Sequence, residues 1–172
     1  LCAQQGMPFM AGGTGSDSKN PDMPDYLPDR MEAGTHNISG IAGLREGIRY
    51  VRERRPKEIG RHEAVLMRRL AESLRKISGM EVFLAENEAV QGGVLSVRHE
   101  LVGCEALAEC LGAAGVAVRS GLHCAPCAHQ MAGTTHTGTV RFSISPFNTE
   151  EEINQAAEIT KACVKKLLID RK

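Results

Sequence analysis

Apolar residues recur along this chain with two periods, and the periods divide it into helical and extended stretches. Over 39–54, Ile41, Leu44, Ile48 and Val51 fall on one helical stripe, and Pro56 ends the pattern. A second helix is predicted over 59–77, with Leu66, Leu70, Leu74 and Ile77 on one face and Gly79 as its stop. Shorter elements then alternate: 81–84 and 94–97 read as strands, 104–111 as a short helix and 116–118 as a strand. After an irregular stretch rich in His, Cys and Gly, 139–144 is a strand with Val140, Phe142 and Ile144 facing one way and Arg141 and Ser143 the other. The last helix opens at Thr149 and Glu152, a capping box, and carries the stripe Ile153, Ala157, Val164 and Leu168.

The Pro56 break divides the chain into 1–56 and 57–172. Residues 10–29 hold glycines, Pro21, Pro24 and Pro28, and read as a long loop. The opening Leu1-Cys2-Ala3-Gln4-Gln5 has neither an initiator Met nor the basic and apolar regions of a signal peptide, so the expectation is a chain cut from a longer protein.

Composition narrows the partners. No apolar run approaches a membrane span, and 21 basic residues balance 21 acidic ones, which leaves no overall field for nucleic acid or an anionic bilayer. Eleven of the basic residues lie in 45–76 against five acids, an excess that the solvated faces of two helices absorb. Six cysteines in a chain of this length and charge indicate a reducing, cytoplasmic setting rather than a disulfide framework.

The densest chemistry is Arg119-Ser-Gly-Leu-His123-Cys124-Ala-Pro-Cys127-Ala-His129. A thiol on a loop beside His and Arg is favoured as thiolate, which makes Cys124 the leading nucleophile. Cys124-Ala-Pro-Cys127 also reads as a redox dithiol, or as half a zinc site completed by His123, His129 or His136. Arg141, fixed in direction by its strand, reads as a carboxylate clamp or as a surface arginine in an ion pair. Gly12 and Gly13 sit in a loop whose backbone N–H groups suit a phosphate, although the Lys-Ser/Thr of a P-loop is missing and a plain loop fits equally. Thr35 and Asn37 precede the first helix, where they serve as caps or as phosphate ligands. His62 and His99 read as structural histidines.

Three segments in order, Glu32-Ala-Gly-Thr35-His36-Asn37, Arg119 through Pro126, and Gly138-Thr-Val-Arg141-Phe-Ser143, resemble the C-terminal part of the cysteine desulfurases of the class V aminotransferase family, which use pyridoxal 5'-phosphate. The resemblance implies an α/β chain: 1–56 as the trailing edge of a large cofactor-binding domain, and 57–172 as a small domain with a mostly antiparallel sheet covered by helices. It implies that Cys124 attacks the sulfur of L-cysteine held on the cofactor, giving a persulfide and releasing alanine for iron–sulfur cluster assembly or other sulfur transfer. Arg141, Asn37 and His123 would bind substrate. Thr35, Gly12 and Gly13 would bind the cofactor, Thr35 acting on the phosphate of the neighbouring subunit in a homodimer. The sixteen residues between Cys124 and Arg141 resemble the short catalytic loop of the second desulfurase group, whose members use a sulfur-acceptor protein.

Two positions depart from the family pattern: His36 replaces a proline, and Cys127 replaces an apolar residue, which opens an internal disulfide or a relayed persulfide. None of Lys19, Lys57, Lys76, Lys161, Lys165, Lys166 and Lys172 has the Ser/Gly-His-Lys setting of the family's Schiff-base lysine, so the chain alone is expected to be inactive. The alternatives are another class V aminotransferase or a selenocysteine lyase, and a Cys/His metal-binding or redox module.

Overall fold

The computed structural model describes residues 7–13, 15–17, 19–85, 87 and 90–171; the opening segment and Thr14 lie outside them. The chain divides into two compact units, Leu1–Glu53 and Arg54–Lys172. In the first, a loop and a 3-10 turn over Asp29–Met31 lead to helix α1, Ile38–Arg54. The expected apolar stripe is present, but α1 buries none of its residues, and Ile41, Leu44, Ile48 and Val51 each keep 42–64% of their surface exposed. Its polar side is laced by Arg49, which pairs with Glu46 at 2.6 Å and with Glu53 at 3.8 Å.

The second unit begins at Arg54, the last residue of α1. Pro56 opens helix α2, Pro56–Leu74, instead of terminating a segment before a gap. A proline at the first helical position loses no hydrogen bond, so the expected start three residues later was too late. Strands β1 (Met80–Phe83) and β2 (Val94–His99), helix α3 (Cys104–Ala113), strand β3 (Arg119–Gly121), helix α4 (Pro126–Met131), strand β4 (Thr139–Ser143) and helix α5 (Glu150–Asp170) follow. The third strand falls three residues beyond the expected 116–118. Val116 and Val118 pack against the core as connecting chain, which is why they carried an apolar signal without belonging to the ladder. Helix α4 lies in the stretch expected to be irregular.

The sheet is antiparallel throughout, in the order β1-β2-β4-β3. Register gives it two unlike faces. Leu95 stands opposite Phe142 and Val97 opposite Val140, and these residues join Leu66, Leu70 and Leu74 of α2, Leu107 and Leu111 of α3 and Ile153 and Val164 of α5 in one core. Between those positions the alternation turns Ser96 and Arg141 to the opposite face, where they are partners. Arg119 pairs with Arg141 from β3 on the same face. The capping box expected at α5 is fully formed, the Thr149 hydroxyl accepting from the Glu152 N–H at 3.2 Å and the Glu152 carboxylate accepting from the Thr149 N–H at 2.8 Å. Arg69 of α2 ties the two long helices together, donating to Asn154 at 2.7 Å and to Glu150 at 2.8 Å.

Gly138, at the entrance to β4, has φ +60°, and a Cβ there would lie 2.9 Å from Cys104 Sγ and 3.1 Å from Gly121 Cα. Backbone strain and a clash with fixed atoms act together, so Gly138→Ala is expected to lower stability by about 1–3 kcal/mol in urea unfolding. Gly112→Ala in α3, where a Cβ meets nothing within 4 Å, is expected to raise it by about 0.5–1 kcal/mol in the same measurement.

Candidate active site

The site-bearing loop follows β3, and its form is set by one tight turn. The Ala125 N–H donates to the Leu122 carbonyl at 2.9 Å, and the two central residues, His123 and Cys124, have φ 51° and 57°. Positive φ at both central positions is the pattern of a type I′ turn, which glycine and asparagine normally fill. Each non-glycine residue held there costs about 1–2 kcal/mol. Pro126 then starts α4. The outcome is an exposed Cys124 at the turn tip and a His123 folded back on the sheet, its Nε2 3.1 Å from and hydrogen-bonded to the Thr139 hydroxyl.

Arg141 and His123 meet electrostatically. The His123 imidazole is held below its ordinary pKa, first by desolvation and then by the Arg141 guanidinium, with His129 and Arg119 adding in the same direction. Arg119 and Arg141 face each other across β3 and β4, and among the described residues no carboxylate forms an ion pair with either. Like charges directly opposed destabilise a sheet. Two buried polar atoms also lack a hydrogen-bond partner, Nε of Arg141 and Nδ1 of His123. An unsatisfied buried group of this kind costs about 1–3 kcal/mol. Both deficits call for an anion with hydrogen-bonding oxygens, such as a carboxylate. The neighbouring Arg98 makes no such demand, because it is already bonded to Glu81 and to the Gly133 carbonyl.

The remaining expected residues belong to the first unit. The Gly34 N–H donates to the Gly13 carbonyl at 2.7 Å, and a Cβ on Gly12 would touch the Ala33 methyl at 3.5 Å. Gly12 and Gly13 are thereby brought beside the chain that carries Thr35. Thr35 is exposed, and Asn37 caps α1, its side-chain oxygen accepting from the Gly40 N–H at 2.9 Å and from the Ser39 hydroxyl at 3.2 Å. Capping engages one oxygen of Asn37 and leaves its amide N–H groups for a ligand.

Other expected ligands are otherwise employed. His129 is buried and bonded through Nδ1 to the Thr134 hydroxyl at 2.7 Å, and among the described residues no three His, Cys, Asp or Glu side chains are grouped to hold a metal ion. Among the described residues, then, the geometry assembles no ligand set for the zinc-module alternative. His99 is structural, with Nε2 donating to the Ser78 carbonyl at 3.0 Å and Nδ1 accepting from the Leu101 N–H at 3.1 Å. Arg119 and Thr139 fall within segments quoted from the sequence, but neither has a role of its own assigned there. Their signal lies in the pairing of β3 with β4, which a single strand's pattern does not contain.

The family model for class-V aminotransferases matches residues 2–156. A probable cysteine desulfurase of Xylella fastidiosa (strain 9a5c) is 39% identical over 151 residues, covering 86% of this chain and 35% of its own length. One from Methanothermobacter thermautotrophicus is 34% identical over 153 residues, covering 87% of the chain and 38% of its own. Among solved structures, the apo cysteine desulfurase of Thermococcus onnurineus NA1 superposes with a TM-score of 0.77 at 31% identity, over 93% of this chain and 40% of that one. The S-sulfonic acid form of the Escherichia coli cysteine desulfurase CsdA superposes with a TM-score of 0.76 at 23% identity, over 93% and 39%. The chain thus spans less than half the length of the relatives it matches.

Two measurements check this geometry. Cys124→Gly relieves the strain of a positive φ without removing buried contacts, and is expected to stabilise the chain by about 1 kcal/mol in urea, against little change for Cys124→Ser. For His123, the unfolded imidazole takes its proton in the ordinary range near ~6.5 while the folded one resists it. Stability is therefore complete above that range and falls as pH drops through it. In His123→Asn, which tolerates positive φ, the slope between about pH 7 and 5 is expected to be shallower than in the parent chain.

Proposed function

Because the chain belongs to the class-V aminotransferase family, we propose that it supplies the nucleophile and carboxylate clamp of a cysteine desulfurase that uses pyridoxal 5'-phosphate. The observation that carries this reading is the pair of unpartnered buried atoms, Arg141 Nε and His123 Nδ1, beside the exposed, strained thiol of Cys124. An amino-acid carboxylate satisfies Arg141 through two parallel hydrogen bonds and offsets the repulsion from Arg119. His123, kept neutral by desolvation and Arg141, offers Nδ1 to the substrate without adding a third positive charge.

The residues present also fit the cofactor. The Gly12–Gly13 loop, tied to Gly34 beside Thr35, would offer the Gly13 N–H and the Thr35 hydroxyl to a phosphate, the Gly12 N–H being donated to Met23 Sδ at 3.4 Å. When bound, pyridoxal 5'-phosphate supplies the electron sink that stabilises negative charge at the substrate carbons. Arg141 and His123 hold the amino acid. Cys124 Sγ, as thiolate, attacks the sulfur of L-cysteine, forming an S–S bond as the C–S bond breaks; the electron pair of that bond stays with carbon, which takes up a proton and leaves as alanine. Cys124 retains the transferred sulfur as a persulfide.

The rest of the reading follows from the family resemblance. The Schiff-base lysine comes from outside this chain, and the chain alone does not turn over. The whole protein is a cytoplasmic homodimer in which Thr35 serves the neighbouring subunit's cofactor. Exposure of Cys124 at a turn tip suits delivery of its sulfur to an acceptor protein, for iron–sulfur cluster assembly or other sulfur transfer. Among the described residues no helix is long and apolar enough to cross a membrane.

The test is alanine formation by the full-length protein supplied with cofactor and L-cysteine. Cys124→Ala is expected to reduce it by at least about a hundredfold, and Arg141→Lys, which keeps the charge but loses the fork, to lower kcat/KM by about 10- to 100-fold. Alanine formation indifferent to Cys124→Ala overturns the desulfurase reading, and alanine from the 172-residue chain alone overturns the assignment of the lysine elsewhere.

A further inference from the structure

Five cysteines are described, all of them free, and they separate by environment: Cys104 and Cys163 are buried, Cys110 is half-buried, and Cys124 and Cys127 are exposed. Burial pushes the Cys104 thiol up, and burial with a hydrogen bond to Cys110 pushes Cys163 up to about 12, which makes those thiols poor nucleophiles at neutral pH. Cys127 stands three positions after Cys124, in the first turn of α4, with only Ala125 and Pro126 between them. Pro126 fixes φ at the start of that turn, so Cys127 rides on a defined helical turn while Cys124 sits on the preceding strained one. The machinery proposed above uses Cys124 as the nucleophile and gives Cys127, which is free and exposed, no role.

We propose that Cys127 is a resolving thiol for the Cys124 persulfide: it displaces the outer sulfur as sulfide and closes a Cys124–Cys127 disulfide. The inference rests on the reading of Cys124 as a persulfide carrier. In the step, Cys127 Sγ attacks Cys124 Sγ. A bond forms between the two Sγ atoms, and the bond from Cys124 Sγ to the outer sulfur breaks. The outer sulfur takes the electron pair of that bond and the proton from Cys127 and departs as hydrogen sulfide. Cys127 is oxidised, the outer sulfur is reduced, and no external oxidant is consumed. Recovery of the two thiols then requires a low-molecular-weight thiol or a protein dithiol as reductant, and the exposure of both residues gives such a reductant access. Without it, each chain releases one sulfide and stops. The redox reading of the Cys-Ala-Pro-Cys motif and the nucleophile reading thereby become two stages of one cycle.

The experiment loads the reduced chain, under anaerobic conditions, with glutathione persulfide as sulfur donor, then alkylates it and maps the cysteines by mass spectrometry while sulfide is measured. The parent chain is expected to release sulfide and to yield a Cys124–Cys127 disulfide closed to alkylation. In Cys127→Ser the extra sulfur is expected to remain on Cys124, with sulfide release slowed by about tenfold or more. Cys110→Ser is expected to behave as the parent. Sulfide release at the parent rate in Cys127→Ser, or a parent chain that holds its persulfide with Cys127 still alkylatable, overturns the proposal. Donor loading bypasses L-cysteine chemistry, so either result bears on Cys127 alone. Failure of the full-length protein to load Cys124 from L-cysteine bears instead on the desulfurase reading.

Discussion

Along β4 successive side chains must leave opposite faces of the sheet, and this constraint sends Val140 and Phe142 into the core while turning Arg141 to the polar face. The first part holds the second in place. Val140 and Phe142 are almost fully buried against Val97 and Leu95, so slipping the register by one residue would expose both and bury a guanidinium. Arg141 is thus aimed by the hydrophobic effect acting on its neighbours. Gly138 extends the constraint to the strand's entrance, because only a residue without a side chain clears Cys104 and Gly121 there.

The polar face stores several unfavourable terms at one place. Arg119 is set against Arg141, two buried nitrogen atoms lack partners, and His123 and Cys124 occupy backbone positions that side chains resist. A fold selected for stability alone would place an acidic residue opposite Arg141 and glycine in the turn, as the sheet does elsewhere by matching Arg98 with Glu81. The core can carry such costs because α2, α3 and α5 bury leucines and valines over the other face. Unmet hydrogen bonds, like charges set against each other and an exposed thiol coincide on this face, and the proposed carboxylate clamp rests on that coincidence.

Much of this was legible in the sequence. Period-two alternation through residues 139–144 gave both the core residues of β4 and the outward direction of Arg141, and Thr149 with Glu152 gave the start of α5. Less was legible where tertiary pairing decides. Val116 and Val118 are apolar because they lie over the core, yet the ladder begins only at Arg119, where β3 pairs with Arg141 of β4. Helix α4 is six residues long, too short for a periodic signal and visible only through Pro126 at its first position. The cross-strand Arg119–Arg141 pair, and the hydrogen bond between His123 and Thr139, join residues sixteen or more positions apart that no local pattern relates. In the first unit the stripe of α1 was correctly read as apolar, but periodicity identifies a face without identifying what packs on it.

The central claim is that Arg141 is a carboxylate clamp left unsatisfied by the protein itself, and its Nε–H reports on this directly. In ¹⁵N-resolved NMR spectra of the cofactor-loaded full-length protein, added alanine is predicted to shift the Arg141 Nε–H resonance downfield and slow its exchange with water. Alaninamide, which lacks the carboxylate, is predicted to leave it unmoved. An Arg141 resonance that ignores alanine, or that answers equally to alaninamide, would contradict the account.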